Sequence, residues 1–211
     1  MSYREPSVAG VVLAGGSSRR FGSDKRLAKF RGKSLLIHAY ETLSDVTKDV
    51  YLSVDAGFLL KEFNDHLAEN EPALSENLLI TDLVPNQGPL GGIYSTMSTL
   101  STDWLLVLAT DLPRVSVASL RALIKKTQVD HTQQQCFAVI AVDDADRSQP
   151  LAACYSRRLL PYIGAALHRN ELGVIRLLNL VTEEVGPRSI DRVCFPTREL
   201  LNVNRPEDLG Y

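Results

Sequence analysis

The sequence has few cysteines, no long apolar run and almost no net charge. Its three cysteines, Cys136, Cys154 and Cys194, fit neither a zinc-binding spacing nor a paired disulfide framework, which indicates ordinary thiols in a reducing compartment. No stretch approaches the roughly 20 apolar residues that a spanning helix needs, and the N-terminal segment lacks the apolar core of a signal peptide. We therefore expect a cytoplasmic protein without a membrane segment.

The net charge and the positions of the histidines argue against two further classes of protein, namely nucleic-acid-binding proteins and enzymes that use covalent catalysis. The formal net charge of −2 provides no overall basic footprint for nucleic acid. The four histidines are scattered, and none is set beside a serine or cysteine as a base would be, which disfavours covalent catalysis. With 211 residues, 45% of them hydrophobic, and no repeat or linker, the chain predicts a single domain over residues 1–211.

The apolar segments are short, continuous and rich in Val, Leu and Ile, as in strands that are buried on both faces. The predicted strands are Val8–Leu13, Val50–Val54, Leu78–Thr81, Trp104–Ala109, Phe137–Val142, Leu151–Tyr155 and Leu200–Val203. The predicted helices are Ser34–Ser44, Phe58–Ala68, Gly91–Leu100, Val117–Gln128 (capped by Ser116), Arg157–His168 and Leu172–Leu180, with a short terminal helix after Pro206. This order predicts an α/β fold: a three-layer α/β/α, Rossmann-like, mostly parallel sheet, with a small antiparallel hairpin added around residues 143–150.

The most informative segment is the glycine loop that follows the first strand. Gly15 and Gly16 let backbone N–H groups approach a phosphate closely. Arg19 and Arg20 could clamp a triphosphate or a leaving pyrophosphate, and Lys25 could place a point charge on the phosphates. The spacing matches neither a Walker A loop nor GxGxxG. The alternative is a tight turn with a solvated basic surface; the clustered cations favour phosphate binding.

The segment TDLPRVS, Thr110–Ser116, follows directly after the strongest predicted strand, WLLVLA, and carries Asp111 at its second position. Mg²⁺ is commonly held by one or two carboxylates together with substrate phosphates. Asp before Leu-Pro is also a common helix cap or Asx turn. Because a phosphate loop should meet it at the same sheet edge, we favour the metal role.

Two further loops carry polar residues to this edge. Asn86–Gly92 opens a helix, with Gly88, Pro89 and Leu90 at its start. The free backbone N–H groups of this helix N-terminus could face an anion or carbonyl, or the segment could simply be a turn into the helix. Asp82 could accept hydrogen bonds from a base, or be a solvated loop carboxylate.

A last pair of amides lies near the C-terminal end. Asn202 and Asn204 lie two apart on a predicted strand, so both would point to one face and could complete a metal or phosphate shell. The alternative is a turn and a cap for the terminal helix.

Several of these segments together resemble a known family. LAGGSSRRFGSDKRLAKFRGKSLL, NQGPLGGIYS, LVLATDLPRVS, QPLAACYSRRLLPYI and LLNVNRPEDL are similar, in order and spacing, to the molybdenum cofactor guanylyltransferases, within the sugar-phosphate nucleotidyltransferase-like superfamily. The resemblance implies the nucleotide-diphospho-sugar transferase fold. It also implies transfer of GMP from GTP to the phosphate of molybdopterin or its molybdenum-loaded form, with Mg²⁺ or alternatively Mn²⁺, and molybdoenzyme maturation proteins as partners.

The resemblance implies that the guanine nucleotide contacts Leu13, Ala14 and Gly15, that its phosphates contact Lys25, that Asp82 lies on the guanine side and that Asp111 holds the Mg²⁺. Together with the motifs described above, it gives the following set of roles. Lys25, Arg19 and Asp111 would be catalytic, and Asp111 would hold the metal with Asn202 and Asn204. The nucleotide would be bound by Leu13, Ala14, Gly15, Gly16, Arg20, Lys25, Ser53, Asp82, Gly88, Pro89 and Leu90. Cytidylyl-type relatives usually have Ala where Gly15 stands, which favours GTP over CTP.

The chain also departs from the family pattern. Ser53 stands where the family commonly has Asn, and Gln149 where it has His before Pro150. The alternatives are a related nucleotidyltransferase that uses CTP or another phosphorylated acceptor, and a non-catalytic nucleotide-binding maturation factor. Lys25 and Asp111 favour the enzyme, since a scaffold needs neither.

Overall fold

A computed structural model describes residues 5–15, 24–129 and 136–209. Its strands are β1 (Val8–Leu13), β2 (Lys29–Phe30), β3 (Lys33–Ser34), β4 (Val50–Val54), β5 (Leu79–Thr81), β6 (Trp104–Ala109), β7 (Ala138–Val142), β8 (Ser148–Ser156) and β9 (Ile190–Cys194). Its α-helices are α1 (Leu35–Ser44), α2 (Leu60–Asp65), α3 (Gly88–Thr99), α4 (Val117–Val129), α5 (Leu160–His168) and α6 (Val174–Val185). None of the helices in these ranges is long and apolar enough to cross a bilayer.

Seven strands form one sheet in the order β5-β4-β1-β6-β8-β7-β9. β8 alone runs antiparallel to its neighbours β6 and β7, while the other pairs are parallel. The chain passes outward from β1 to β4 and β5 and then returns to the other side of β1 to form β6. This reversal of strand order opens a crevice beyond the carboxyl ends of β1 and β6, where α/β proteins bind ligands.

Continuous apolar strands are buried on both faces, as the composition predicts. Val12 and Leu108 face the core cluster formed with α1 and α4, whereas Val11 and Val107 face the cluster formed with α3, α5 and α6. The alternation follows from the two-residue period of a strand. The predicted three-layer, mostly parallel α/β fold is confirmed.

Most predicted elements lie within a few residues of the observed ones, and Ser116 does cap α4, with its Oγ accepting the Ser119 N–H at 3.2 Å. The predicted strand Leu200–Val203 is wrong: residues 201–204 have no regular structure, and a strand forms earlier, at β9. β9 is half-exposed and charged, with the sequence IDRVC, so it lacks the apolar run on which the other predictions depended.

Candidate active site

A cleft of about 800 Å³ opens at the carboxyl ends of β1, β4, β5 and β6. Its lining comes mainly from the loops that leave these strands and from the start of α3. The lining residues are Leu13, Ala14, Gly15, Lys25, Arg26, Ser53, Asp55, Ala56, Gly57, Asp82, Pro85, Asn86, Gly88, Pro89, Gly92, Ala109, Thr110, Asp111 and Leu151.

Lys25 and Asp111 meet in this cleft although they come from different loops. Lys25 Nζ lies 3.7 Å from Asp111 Oδ2, and about a fifth of each side chain is exposed. The amide Nδ2 of Asn202 donates to the same Oδ2 at 3.0 Å. A cation and a partly buried carboxylate therefore stand together at the switch point of the sheet.

The second oxygen of Asp111 has a different environment. Oδ1 is buried and has no hydrogen-bond partner among the described residues. An unpartnered buried carboxylate oxygen is costly, so such an atom in a cleft indicates a place for a cation or a donor from a ligand. The described ranges contain no cluster of three or more His, Cys, Asp or Glu side chains that could hold a metal ion. A divalent ion here would therefore need ligand phosphates as well as Asp111.

At the opposite side of the cleft, Asp82 follows β5. Its Oδ1 accepts the Ser53 hydroxyl at 3.0 Å. Burial raises the pKa of Asp82, the Ser53 hydrogen bond acts against that rise, and the negative charge of Asp55 adds to it. Asp82 Oδ2 lies 3.8 Å from the position that a Cβ would occupy on Gly15, so a side chain on Gly15 would fill the space beside this carboxylate.

The start of α3 packs closely against the same strands. A Cβ on Gly92 would lie 2.4 Å from Ser53 Oγ, so only glycine permits this approach. Asn86 and Gly88 have φ values of 62° and 58°, left-handed conformations that turn the chain into the helix. The helix N-terminus is thereby aimed into the cleft, where its unpaired N–H groups favour negative charge.

Arg26 lines the cleft and was not singled out from the sequence. It forms a bidentate ion pair with Asp24, with an Nη2–Oδ2 distance of 2.7 Å. Its Nη1 lies 3.4 Å from the Ala14 carbonyl and 3.9 Å from Asp55, and its guanidinium lies over Phe58. The available signal in the sequence was its position directly after Lys25, because two adjacent residues of one short segment can both reach the same cleft.

The structure brings together most of the predicted site residues. Those that line the cleft are Leu13, Ala14, Gly15, Lys25, Ser53, Asp82, Gly88, Pro89 and Asp111. Gly16, Arg19 and Arg20 lie outside the described residues.

Three predicted placements need correction or refinement. The side chain of Leu90 is 1% exposed and belongs to the core, because it points from α3 toward the sheet; only its backbone faces the helix end. Asn204 is exposed in a turn that the Asp208 carboxylate closes, so it does not share a strand face with Asn202 and does not reach the cleft. Asn202 contacts Asp111, but its own amide oxygen already accepts from Gln149 Nε2 at 2.9 Å.

These features define a class of protein. A glycine-containing turn, a lysine, a lone carboxylate with an open oxygen and a helix N-terminus converge at the switch point of an α/β sheet, which is an arrangement suited to a nucleotide and its phosphates.

Sequence comparison gives the family. The family model of the MobA-like NTP transferase domain matches residues 10–185, and the chain belongs to this family of nucleotidyltransferases. The chain is 35% identical to a "Probable molybdenum cofactor guanylyltransferase" of Geobacillus sp., over 78% of this chain and 77% of that protein. It is 32% identical to one of Flavobacterium johnsoniae, over 82% of each.

A solved structure with a related name has a similar fold. The crystal structure of molybdopterin-guanine dinucleotide biosynthesis protein A from Archaeoglobus fulgidus matches with a TM-score of 0.66 and 22% identity, over 95% of this chain and 94% of that one. At this identity the likeness concerns the fold.

Proposed function

We propose that this enzyme transfers GMP from GTP to the terminal phosphate of molybdopterin or its molybdenum-loaded form, releasing pyrophosphate. The observation that carries the proposal is the meeting of Lys25 with Asp111, at 3.7 Å, in a cleft whose other side presents Asp82 beside Gly15. The names of the relatives, molybdenum cofactor guanylyltransferases, support the choice of donor and acceptor.

The donor base belongs at the Asp82 side of the cleft. A carboxylate accepts hydrogen bonds but donates none when ionised, and guanine offers neighbouring N1–H and 2-amino donors. Asp82 Oδ1 already accepts the Ser53 hydroxyl, whereas Oδ2 faces the open space above Gly15. A methyl group on Gly15 would narrow this space, which supports a purine rather than a pyrimidine at this position.

The phosphates belong between Lys25 and Asp111. The ammonium of Lys25 would stabilise charge on the α-phosphate and the leaving pyrophosphate. A divalent ion, Mg²⁺ or Mn²⁺, fits the unpartnered Asp111 Oδ1, because carboxylate oxygen and phosphate oxygens are its preferred ligands. When bound, the ion would supply charge neutralisation on the triphosphate.

The transfer needs little acid–base chemistry from the protein. An oxygen of the acceptor phosphate, already an anion, forms a bond to the α-phosphorus, and the bond from that phosphorus to the bridging oxygen breaks. The electron pair leaves with pyrophosphate. The chain's own contribution is to hold the two phosphates in line and to place Lys25 at the developing charge.

The deciding experiment combines purified protein, molybdopterin, Mg²⁺ and either GTP or CTP, and measures pyrophosphate together with the dinucleotide product by mass spectrometry. We expect product with GTP and at least tenfold less with CTP. Preferential product with CTP would assign the chain to the cytidylyl branch. Tight GTP binding without pyrophosphate release would replace the enzyme with a nucleotide-binding maturation factor.

A further inference from the structure

A line of hydrogen bonds runs behind the cleft and ends on Asp111. The Leu151 N–H lies 3.4 Å from Gln149 Oε1, and Gln149 Nε2 donates to Asn202 Oδ1 at 2.9 Å. Asn202 Nδ2 then donates to Asp111 Oδ2 at 3.0 Å. We call Gln149, Asn202 and Asp111 the amide relay.

The relay has a fixed direction. A backbone N–H only donates, and an ionised carboxylate only accepts. With these two groups at its ends, each amide is held in a single orientation. Turning the Asn202 amide over would place its oxygen against the Asp111 carboxylate, and its NH₂ group against that of Gln149.

The backbone holds the relay in place. The register of β7 against β8 shifts between Ile140, opposite Ala153, and Ala141, opposite Gln149, so β8 bulges between its residues 149 and 153. Pro150 lies in this bulge, and its carbonyl accepts the hydroxyl of buried Tyr155 at 2.6 Å. On the other side, the Val203 N–H donates to the Asp111 carbonyl at 2.8 Å.

The amide relay restricts the rotation of the Asp111 carboxylate. Asn202 donates to Asp111 Oδ2, and Lys25 Nζ lies near the same oxygen. Oδ1 is therefore the oxygen left buried without a partner among the described residues. Without the relay, the Asp111 side chain could rotate about its side-chain bonds. Oδ2 would then no longer be the oxygen that accepts from Asn202, nor Oδ1 the one left without a partner.

We propose that Gln149 is a positioning residue that acts through Asn202 to aim Asp111 Oδ1 at the divalent cation of the nucleotide complex. This inference rests on the proposed function, since an aimed carboxylate matters only where a metal–phosphate complex binds. Groups that orient a metal ligand commonly change metal affinity or activity by about 10–100-fold when altered.

The test is a pair of nearly isosteric substitutions. Gln149→Glu replaces the donor by an acceptor, which should draw the Asn202 NH₂ group toward residue 149 and turn its oxygen toward Asp111. Gln149→His keeps a ring N–H that can donate to Asn202. Mn²⁺ is titrated by electron paramagnetic resonance in the presence of guanosine 5′-[α,β-methylene]triphosphate, a GTP analogue that cannot undergo transfer.

For Gln149→Glu we expect the Mn²⁺ concentration at half-saturation to rise by about 10–100-fold. Gln149→His should restore most of the affinity, and the exposed control Gln128→Glu, on α4, should match the wild type. Unchanged Mn²⁺ affinity in Gln149→Glu would overturn the positioning role. A wild-type protein that fails to hold the Mn²⁺–analogue complex would overturn the proposed function, and the inference with it.

A double-mutant cycle separates positioning from general loss of structure. In Asn202→Ala the path from residue 149 to Asp111 is cut, so adding Gln149→Ala should cause no further loss of Mn²⁺ affinity. Independent, additive losses from the two substitutions would contradict action through Asn202. Melting temperatures show whether all four proteins of the cycle remain folded. If the double variant does not fold, the comparison of Gln149→Glu with Gln149→His still tests the positioning role.

Discussion

The two ends of the cleft are built in different ways. At one end, which we call the donor end because the proposed GTP donor would bind there, Gly15, Ser53 and Asp82 each lie within two residues of the end of a regular parallel strand, β1, β4 or β5. At the relay end, Asp111 follows β6, but Gln149 lies beside a bulge and Asn202 in an irregular segment. Regular ladder register therefore sets the geometry of one end, and side-chain hydrogen bonds set that of the other.

This difference in construction predicts how each end of the cleft responds to substitutions. Pairing of Leu13 with Ser53 and of Val54 with Thr81 places the donor-end residues at one level by backbone bonds alone. Asn202 reaches Asp111 across 91 positions in the chain, through a side-chain bond. Substitutions at the donor end should therefore act only within that end, whereas those at the relay end should propagate to Asp111.

Lys25 lies beside Asp111 at the relay end, and its loss should have the largest effect. If Lys25 contacts the α-phosphate in the transition state, Lys25→Ala should lower kcat by about a hundredfold or more, the scale for lost electrostatic stabilisers. Steady-state pyrophosphate release measures kcat, and Lys125→Ala, on the exposed face of α4, is the matched control. Near-normal turnover of Lys25→Ala with bound GTP would remove Lys25 from catalysis.

Asp82→Asn tests the donor end alone. Replacing the carboxylate by an amide turns one acceptor into a donor facing guanine, and should lower kcat/KM for GTP by about 10–100-fold, on the scale of a lost charged hydrogen bond. Because the donor end is separate from the relay, the Mn²⁺ affinity of this variant should stay near that of the wild type. Unchanged discrimination between GTP and CTP would contradict a contact between Asp82 and the base.

The two ends also differ in the buried glutamate that supports each of them. Glu71, before β5, accepts from Lys29 and from the backbone N–H groups of Ser34 and Ala68. It thereby ties the connection that leads to Asp82 to β2 and β3, which pair antiparallel with each other. Glu199, near the relay, accepts from the Ser116 N–H at 3.0 Å.

Glu71→Gln should accordingly lower the free energy of unfolding at pH 7 by about 2 kcal/mol, and Glu199→Gln by about 1 kcal/mol. Burial raises the pKa of Glu71, but its hydrogen bonds outweigh this and lower the pKa from 4.5 to about 2. The carboxylate therefore stabilises the fold fully above pH 4.5, and this contribution disappears as the pH falls toward 2. Urea unfolding at several pH values should show wild type and Glu71→Gln converging in that window; a constant difference would refute the role of the charge.

The same contrast explains what the sequence could predict. Strands β1, β4, β5 and β6 are apolar runs with marked ends, so Gly15, Asp82 and Asp111 could be placed at one sheet edge from the pattern alone. The relay could not be derived. β9 is polar and exposed, the bulge in β8 depends on pairing with β7, and residues 201–204 are held by bonds to distant side chains and backbone rather than by a strand of their own. The predicted strand there was wrong because an apolar-polar alternation, LNVN, occurred without a neighbouring strand to pair with.

Ser53→Ala should give the smallest effect and tests the donor end most finely. The Ser53 hydroxyl donates to Asp82 Oδ1 at 3.0 Å and lowers the pKa of Asp82 against the upward effect of burial. Removing it should raise that pKa further, so that the carboxylate is protonated at a higher pH. In the proposed complex guanine donates to the ionised form of Asp82, so the acid limit of GTP binding should move to higher pH, with affinity at neutral pH lowered about fivefold. Calorimetric titration of GTP across pH measures both effects, and Ser119→Ala, on α4, is the control. An acid limit that stays in place would show that Asp82 does not accept from the base in its ionised form, and would leave the shape of the space above Gly15 as the source of donor preference.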